Sequence, residues 1–335
     1  MTPVNNTRLP ELGDKKIDSA HSRALTAIRT LCGPAIIAAL EEPTTVELMV
    51  NADGVVWQER LGEPAPVSIG HMNMMTAREI INKVASLLGL EAKPETPIIE
   101  GNWPLDGSRF AGQIPPIVGA PTFAIRKKAS SIFTLDQYVS AGIMTPEQRA
   151  ALVESVKNHH NILIAGGTGS GKTTLVNALI AESVRLFPNE RVLTVEDTAE
   201  LQCSAANMNS YYANKVTTQS DIIKAMLRMR PDRIHVGEMR DHAANDLLVA
   251  WNTGHEGGFA TVHANDPISA LDKVVMLVSM HPFAPRNYID KFVCQVIHRI
   301  VHISRVEGGG RKVRSIAAVV GRGSGGESYR VSGVA

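Results

Sequence analysis

The chain has 335 residues, with 34 Lys and Arg against 33 Asp and Glu, 44% hydrophobic and 20% charged residues. This is ordinary globular composition; it argues against a disordered, collagenous or coiled-coil protein, and at roughly 100–200 residues per domain the length suggests two domains. A formal net charge of +1 gives no overall electrostatic footprint for nucleic acid, so a DNA or RNA binder would need a local patch.

Residues 1–15 carry Pro3 and Pro10 and no periodicity, and read as a flexible arm. From Ile17, apolar side chains recur at Ala20, Ala24, Leu25, Ile28 and Leu31, which is helical spacing. Gly33-Pro34 ends that helix, and a short apolar helix follows to Leu40. No stretch reaches the ~18 consecutive apolar residues of a membrane span. Met1 to Asp14 lacks the apolar core of a signal peptide. The expectation is a cytoplasmic protein, with peripheral membrane contact left open.

Val46–Val50 and Val55–Arg60 flank the turn Asn51-Ala52-Asp53-Gly54 and read as a β-hairpin. A helix is predicted over about 76–90, and short β-type runs over 97–100, 107–114 and 122–127. An α+β domain over 16–128 results. Residues 129–145, with Ser130-Ser131 and Gly142, read as a linker. Thr145-Pro146-Glu147-Gln148 is a helix start with proline at the first helical position. Helices over 146–159, 171–185, 218–229 and 242–252 then alternate with strands over 161–165, 191–196, 232–236 and 258–263, which predicts a parallel α/β sheet in a second domain over 146–320. Residues 321–335, rich in glycine, read as a flexible tail. The cysteines Cys32, Cys203 and Cys294 are far apart and odd in number; a disulfide framework does not follow, and a reducing compartment fits.

The strongest motif is Gly166-Gly167-Thr168-Gly169-Ser170-Gly171-Lys172-Thr173, which fits G-x-x-x-x-G-K-[ST]. The apolar strand 161–165 precedes it and the apolar helix from Thr174 follows, so a chance glycine-rich turn is the weaker reading. Glycines let backbone N–H groups turn inward around an anion, and the helix N-terminus adds partial positive charge. Lys172 is a point charge for β- and γ-phosphates, and the Thr173 hydroxyl is a hard oxygen suited to Mg²⁺. The base-reading N-K-x-D pattern of GTPases is missing, since Asn82-Lys83 and Asn214-Lys215 lack the Asp. ATP is favoured.

Hydrolysis of a phosphoanhydride needs a carboxylate near the γ-phosphate. Strand 191–196 ends in Glu196-Asp197, and strand 232–236 leads into Gly237-Glu238-Met239-Arg240-Asp241. In an open α/β sheet ligands lie at the carboxyl ends of strands, so both acidic pairs fall on the edge of the phosphate loop. An isolated Glu-Asp pair after a strand could equally be a helix cap.

Glu196-Asp197-Thr198-Ala199-Glu200-Leu201, then Arg230-Pro231-Asp232 through Asp241, then Thr253-Gly254-His255 through His263-Ala264-Asn265 closely resemble the Asp box, Walker B and His box of the type II/IV secretion ATPase family. Asp106–Phe110, Phe123–Lys128 and Phe133–Tyr138 look most like its conjugative-transfer branch, the TrbB type. The tetracysteine motif of type II secretion members is missing. The resemblance implies a RecA-like P-loop motor preceded by an α+β (PAS-like) N-terminal domain, and a homohexameric ATPase using ATP and Mg²⁺. It further implies a motor that is peripheral on the inner-membrane face, docks on inner-membrane components of a conjugative channel, and drives pilus biogenesis or substrate transfer through domain motion.

Carried over residue by residue, the resemblance makes Glu238 the Walker B carboxylate. Glu196 is the Asp-box carboxylate that shares or takes the water-activating role, and Asp197 fixes the loop or the water shell of the metal. Thr173 and Glu238 would attend Mg²⁺, and Thr174 completes the phosphate loop. His255 and His263 would sense the γ-phosphate or serve as structural hydrogen-bonding groups. Arg109 and Arg126 would reach the nucleotide from the N-terminal domain or be ordinary sheet-surface arginines. Other readings stay open: a pilus retraction or type II secretion ATPase, a nucleotide-dependent regulator with little turnover, or a DNA-handling RecA-like protein.

Overall fold

The computed structural model describes residues 14–61, 63, 65–128, 132–214, 216–284, 287–306, 310–321 and 330–333. The arm up to residue 13, Ser130-Ser131, and residues 322–329 and 334–335 of the tail lie outside the described residues. The chain divides into two units, Met1–Lys128 and Ala129–Ala335.

The first unit runs α1 (Asp14–Glu41), β1 (Thr45–Val50), β2 (Val55–Arg60), β3 (Val67–His71), α2 (Met74–Leu87), β4 (Ile98–Asn102), β5 (Arg109–Gln113) and β6 (Thr122–Arg126). Its strands form an antiparallel sheet in the order β3-β2-β1-β6-β5-β4. Gly33 breaks α1 at φ 74° and ψ 168°, with Pro34 behind it, as the sequence predicts. No stretch here is apolar throughout, but Ala20–Glu41 is long enough, and apolar enough on average, to match a membrane span by length and composition alone. Ile28, Cys32, Ile36, Ala39 and Leu40 explain much of that hydropathy. They recur at helical spacing and are buried in the core of this unit with Ile80, Ile81 and Val84 of α2. Asn73 starts α2 by accepting from the Met75 N–H.

The second unit contains α3 (Leu135–Ser140), α4 (Pro146–Lys157), β7 (Ile162–Ala165), α5 (Lys172–Leu186), β8 (Val192–Glu196), β9 (Met208–Tyr212), α6 (Gln219–Met226), β10 (Arg233–Val236), α7 (Ala243–Trp251), β11 (Phe259–Val262), α8 (Pro267–Ser279), α9 (Ile289–Val296), β12 (Arg299–Arg305), β13 (Arg311–Gly321) and β14 (Arg330–Gly333). Thr145 caps α4 in a reciprocal box with Gln148, and Pro146 sits in the first turn. The strand order is β14-β13-β12-β7-β11-β10-β8-β9. From β12 to β9 the pairings are parallel; β13 and β14 add antiparallel strands at one side.

Every residue of β7, β8, β10 and β11 is buried, as expected of parallel strands covered on both faces. The strand period of two sorts them between two cores. Leu163, Ala165, Val195, Val236 and Val262 pack with side chains of α6 to α9. Ile162, Ile164 and Phe259 pack with those of α4 and α5 and with Val301 and Ile303 of β12. The sheet therefore presents two edges: an entry edge, where the parallel strands begin, and an exit edge, where they end.

Candidate functional site

The exit of β7 is bent into a cup by glycines. A Cβ on Gly166 would lie 2.3 Å from the Ile303 carbonyl oxygen and 2.5 Å from Ser170 Oγ, so no larger residue fits there. Gly171 takes φ 93° and ψ 21° and starts α5 with no side-chain cap. The first-turn N–H groups of α5 therefore have no capping side chain and meet an anion with partial positive charge. Ser170 is buried, and its hydroxyl has no hydrogen-bond partner among the described residues. Lys172 is 7% exposed. Its Nζ donates to the carbonyls of Gly166 at 3.0 Å and Gly167 at 2.9 Å. An uncapped helix start, an unpartnered buried hydroxyl and a fixed ammonium make a cradle that fits a phosphate group, with Thr173 and Thr174 in the same first turn.

From this ammonium a chain of polar groups runs along the exit edge. Lys172 Nζ lies 3.4 Å from His263 Nδ1. His263 Nε2 lies 3.3 Å from Glu238 Oε1. Glu238 Oε2 accepts from Arg240 at 2.8 Å, and Arg240 also donates to Asp197 at 2.5 Å. Burial first, and then the Lys172 ammonium, push the pKa of His263 below its ordinary value against the opposing pull of Glu238. A neutral ring with its proton on Nε2 accepts from Lys172 and turns that proton toward Glu238. β11 delivers His263, and its neighbour β10 delivers Glu238 and Arg240. The Thr261 hydroxyl donates to the Gly237 carbonyl at 2.6 Å, and the Met239 N–H donates to the Thr261 carbonyl at 2.9 Å, fixing one exit against the other.

Glu196 is placed differently. It is 4% exposed. Its Oε2 accepts from the N–H groups of Glu200 and Leu201, both at 2.9 Å, and its Oε1 from Leu201 at 3.2 Å. It ties down the loop after β8, while Asp197 reaches Arg240.

Not every residue of the expected set gathers here. His255 lies apart: its Nδ1 is 2.9 Å from the Pro231 carbonyl, before β10 begins, in keeping with the structural hydrogen-bonding role that is one of its two expected readings. It sits at the entry edge, and the four residues of β11 separate it from His263 by roughly 13 Å of extended chain. Arg109 and Arg126 belong to the first unit, where they oppose each other across β5 and β6. Arg126 also faces Glu47 of β1. Burial raises the pKa of Glu47, and the charges of Arg126 and Arg109 oppose that rise.

Sequence reasoning gave no role to two residues that flank the cup. Arg305, at the end of β12, donates from Nε to the Gly169 carbonyl at 3.1 Å. Arg311 of β13 places its Cδ 3.0 Å from where a Cβ on Gly171 would sit. The β-branched residues Ile300, Val301 and Ile303 in a short run are the trace that marks β12 as a strand. Its parallel pairing with β7 leaves no such trace.

Comparisons with known proteins agree with this architecture. The family described as type II/IV secretion system protein matches residues 33–311. The conjugal transfer protein TrbB of Rhizobium radiobacter is 42% identical over 90% of this chain and 92% of its own length. A probable conjugal transfer protein TrbB of Sinorhizobium fredii is 41% identical over 90% and 91%. Two solved structures share the fold. The Legionella pneumophila ATPase DotB has a TM-score of 0.61 at 16% identity, covering 95% of this chain and 83% of that one. The pilus retraction motor PilT with bound ADP has a TM-score of 0.61 at 20% identity, covering 84% and 80%.

Proposed function

This chain belongs to the type II/IV secretion system protein family, and from that premise we propose that it is an ATPase whose hydrolysis of ATP powers a conjugative secretion system. The observation that carries the reading is the unbroken polar line from Lys172 through His263 to Glu238, beside a cradle that fits a phosphate. In this proposal the loop N–H groups and Lys172 bind the β- and γ-phosphates. Thr173 and Glu238 would hold Mg²⁺, directly or through its water shell. The metal supplies positive charge against the phosphate oxygens.

Glu238 orients the attacking water or takes its proton. Neutral His263 fixes one carboxylate oxygen of Glu238, and Arg240 fixes the other. Glu196 supports the site by holding the neighbouring loop. Arg109 and Arg126 remain proposed nucleotide-binding residues on the strength of their paired guanidinium groups, which suit phosphate oxygens. The proposed working form is a homohexameric ring in the cytoplasm, docked on inner-membrane channel components, as the family resemblance implies.

Phosphate release by the purified protein with Mg-ATP tests this reading. The wild type should turn over. Lys172→Ala should abolish both turnover and tight ATP binding, because it removes the buried ammonium held by the carbonyls of the cup. A wild type that neither binds nor hydrolyses ATP, as monomer or as ring, would overturn the proposal.

A further inference from the structure

We infer that Arg305 is a nucleobase platform: it holds the nucleoside end of the bound nucleotide. The inference rests on the reading of the phosphate loop as a triphosphate site, and begins with the order of the strands. β7 carries the loop, with β11 on one side and β12 on the other. The groups proposed for hydrolysis, Glu238 and His263, leave β10 and β11, both on the β11 side. A triphosphate bound with its γ-phosphate toward those groups therefore sends its nucleoside across the loop to the β12 side.

Two features of that side fit a nucleoside. First, Arg305 is exposed yet pinned: the bond from its Nε to the Gly169 carbonyl fixes the guanidinium against the loop. The contact is close, since a Cβ on Gly169 would lie 2.2 Å from Arg305 Nη2. A planar cation held with its side chain open to solvent is a stacking surface for an aromatic base. Second, Arg305 stands directly opposite Arg311 across β12 and β13. Like charges in that position cost stability, and Arg305 makes no ion pair among the described residues. An exposed guanidinium without an ion pair among the described residues, pinned against the phosphate loop, fits an anionic ligand with a flat end.

The experiment compares ATP, CTP and inorganic tripolyphosphate, each with Mg²⁺, binding to the full-length protein. Arg305→Gln keeps a donor for the Gly169 carbonyl but loses the charged plane; Arg305→Lys keeps the charge alone. Both should bind ATP about ten-fold more weakly, with tripolyphosphate changed less than two-fold. The preference of the wild type for ATP over CTP should narrow in both. Equal losses for ATP and tripolyphosphate would mean that Arg305 only props the loop, and would overturn the inference. Full rescue by Arg305→Lys would overturn the stacking role as well. A wild type that binds tripolyphosphate but gains nothing from the nucleoside would sink this inference alone. One that binds none of the three would sink the proposed function with it.

Discussion

Arg233 and Arg240 stand at opposite ends of β10 and lead opposite lives. Arg233 begins the strand at 0% exposure. Its Nε is 2.5 Å from Glu190, its Nη1 donates to the Gly257 carbonyl, and its guanidinium lies 4.8 Å from the centre of the Phe187 ring. Nearby, Asn161 is buried with its side chain bonded to Val296, Gly257 and Gly258. Arg240 leaves the strand with its side chain 47% exposed and bridges two carboxylates. Both edges are rich in charge, but only the entry edge is locked. A buried pair is costly to break because it strands a charge, whereas half-exposed pairs are worth little and exchange readily. Polarity alone does not mark a working site; polarity that can change partners does.

The sharpest way to break this contrast is at the exit. Glu238→Gln should slow phosphate release about a thousand-fold while ATP binding stays within a few-fold, measured by single-turnover kinetics and by equilibrium binding. Strong turnover in that variant would move the hydrolytic role elsewhere, with Glu196 next in line.

The entry edge should answer in stability. Arg233→Met leaves Glu190 with only His159 as a partner and should cost about 3 kcal/mol in urea unfolding, with ATP affinity of the folded fraction unchanged. A smaller stability loss together with weakened nucleotide binding would erase the distinction between the edges.

The smallest expected effect is an acid slope. Burial first, with Arg233 adding to it, pushes His235 down to about 3, and burial pushes His160 down to about 4. Both lie below the ordinary 6.5. Between those values the unfolded chain binds more protons than the native one, so stability falls as pH drops below about 6.5. His235 alone should account for roughly 2–3 kcal/mol between pH 7 and pH 4.5. His235→Gln should flatten the slope; an unchanged slope would assign it to other groups.

Much of the second unit was legible in the sequence. The strands and helices between 146 and 263 fall within a few residues of their expected bounds, because parallel strands are solid apolar runs and Thr145-Pro146 is a strong cap. β9 (MNSYY) was missed because it is a polar edge strand with no buried face to impose a period. The members of the site that adjoin a motif, Lys172, Glu238 and His263, could be read directly. The strand expected over 258–263 already sets His255 and His263 at opposite ends, and β11 lies there; what the sequence does not show is that His255 bonds the Pro231 carbonyl. Arg305 was invisible for the converse reason: 136 residues separate it from its partner Gly169, and only strand pairing brings them together.

The carbonyls of Gly166 and Gly167 hold the ammonium of Lys172 in one place. Immobilising a free lysine takes roughly 2 kcal/mol of rotamer entropy. Here that ordering is part of folding. On the proposed reading, a phosphate entering the cup would meet an ammonium already in place, and the entropic cost of ordering it would not be charged to binding.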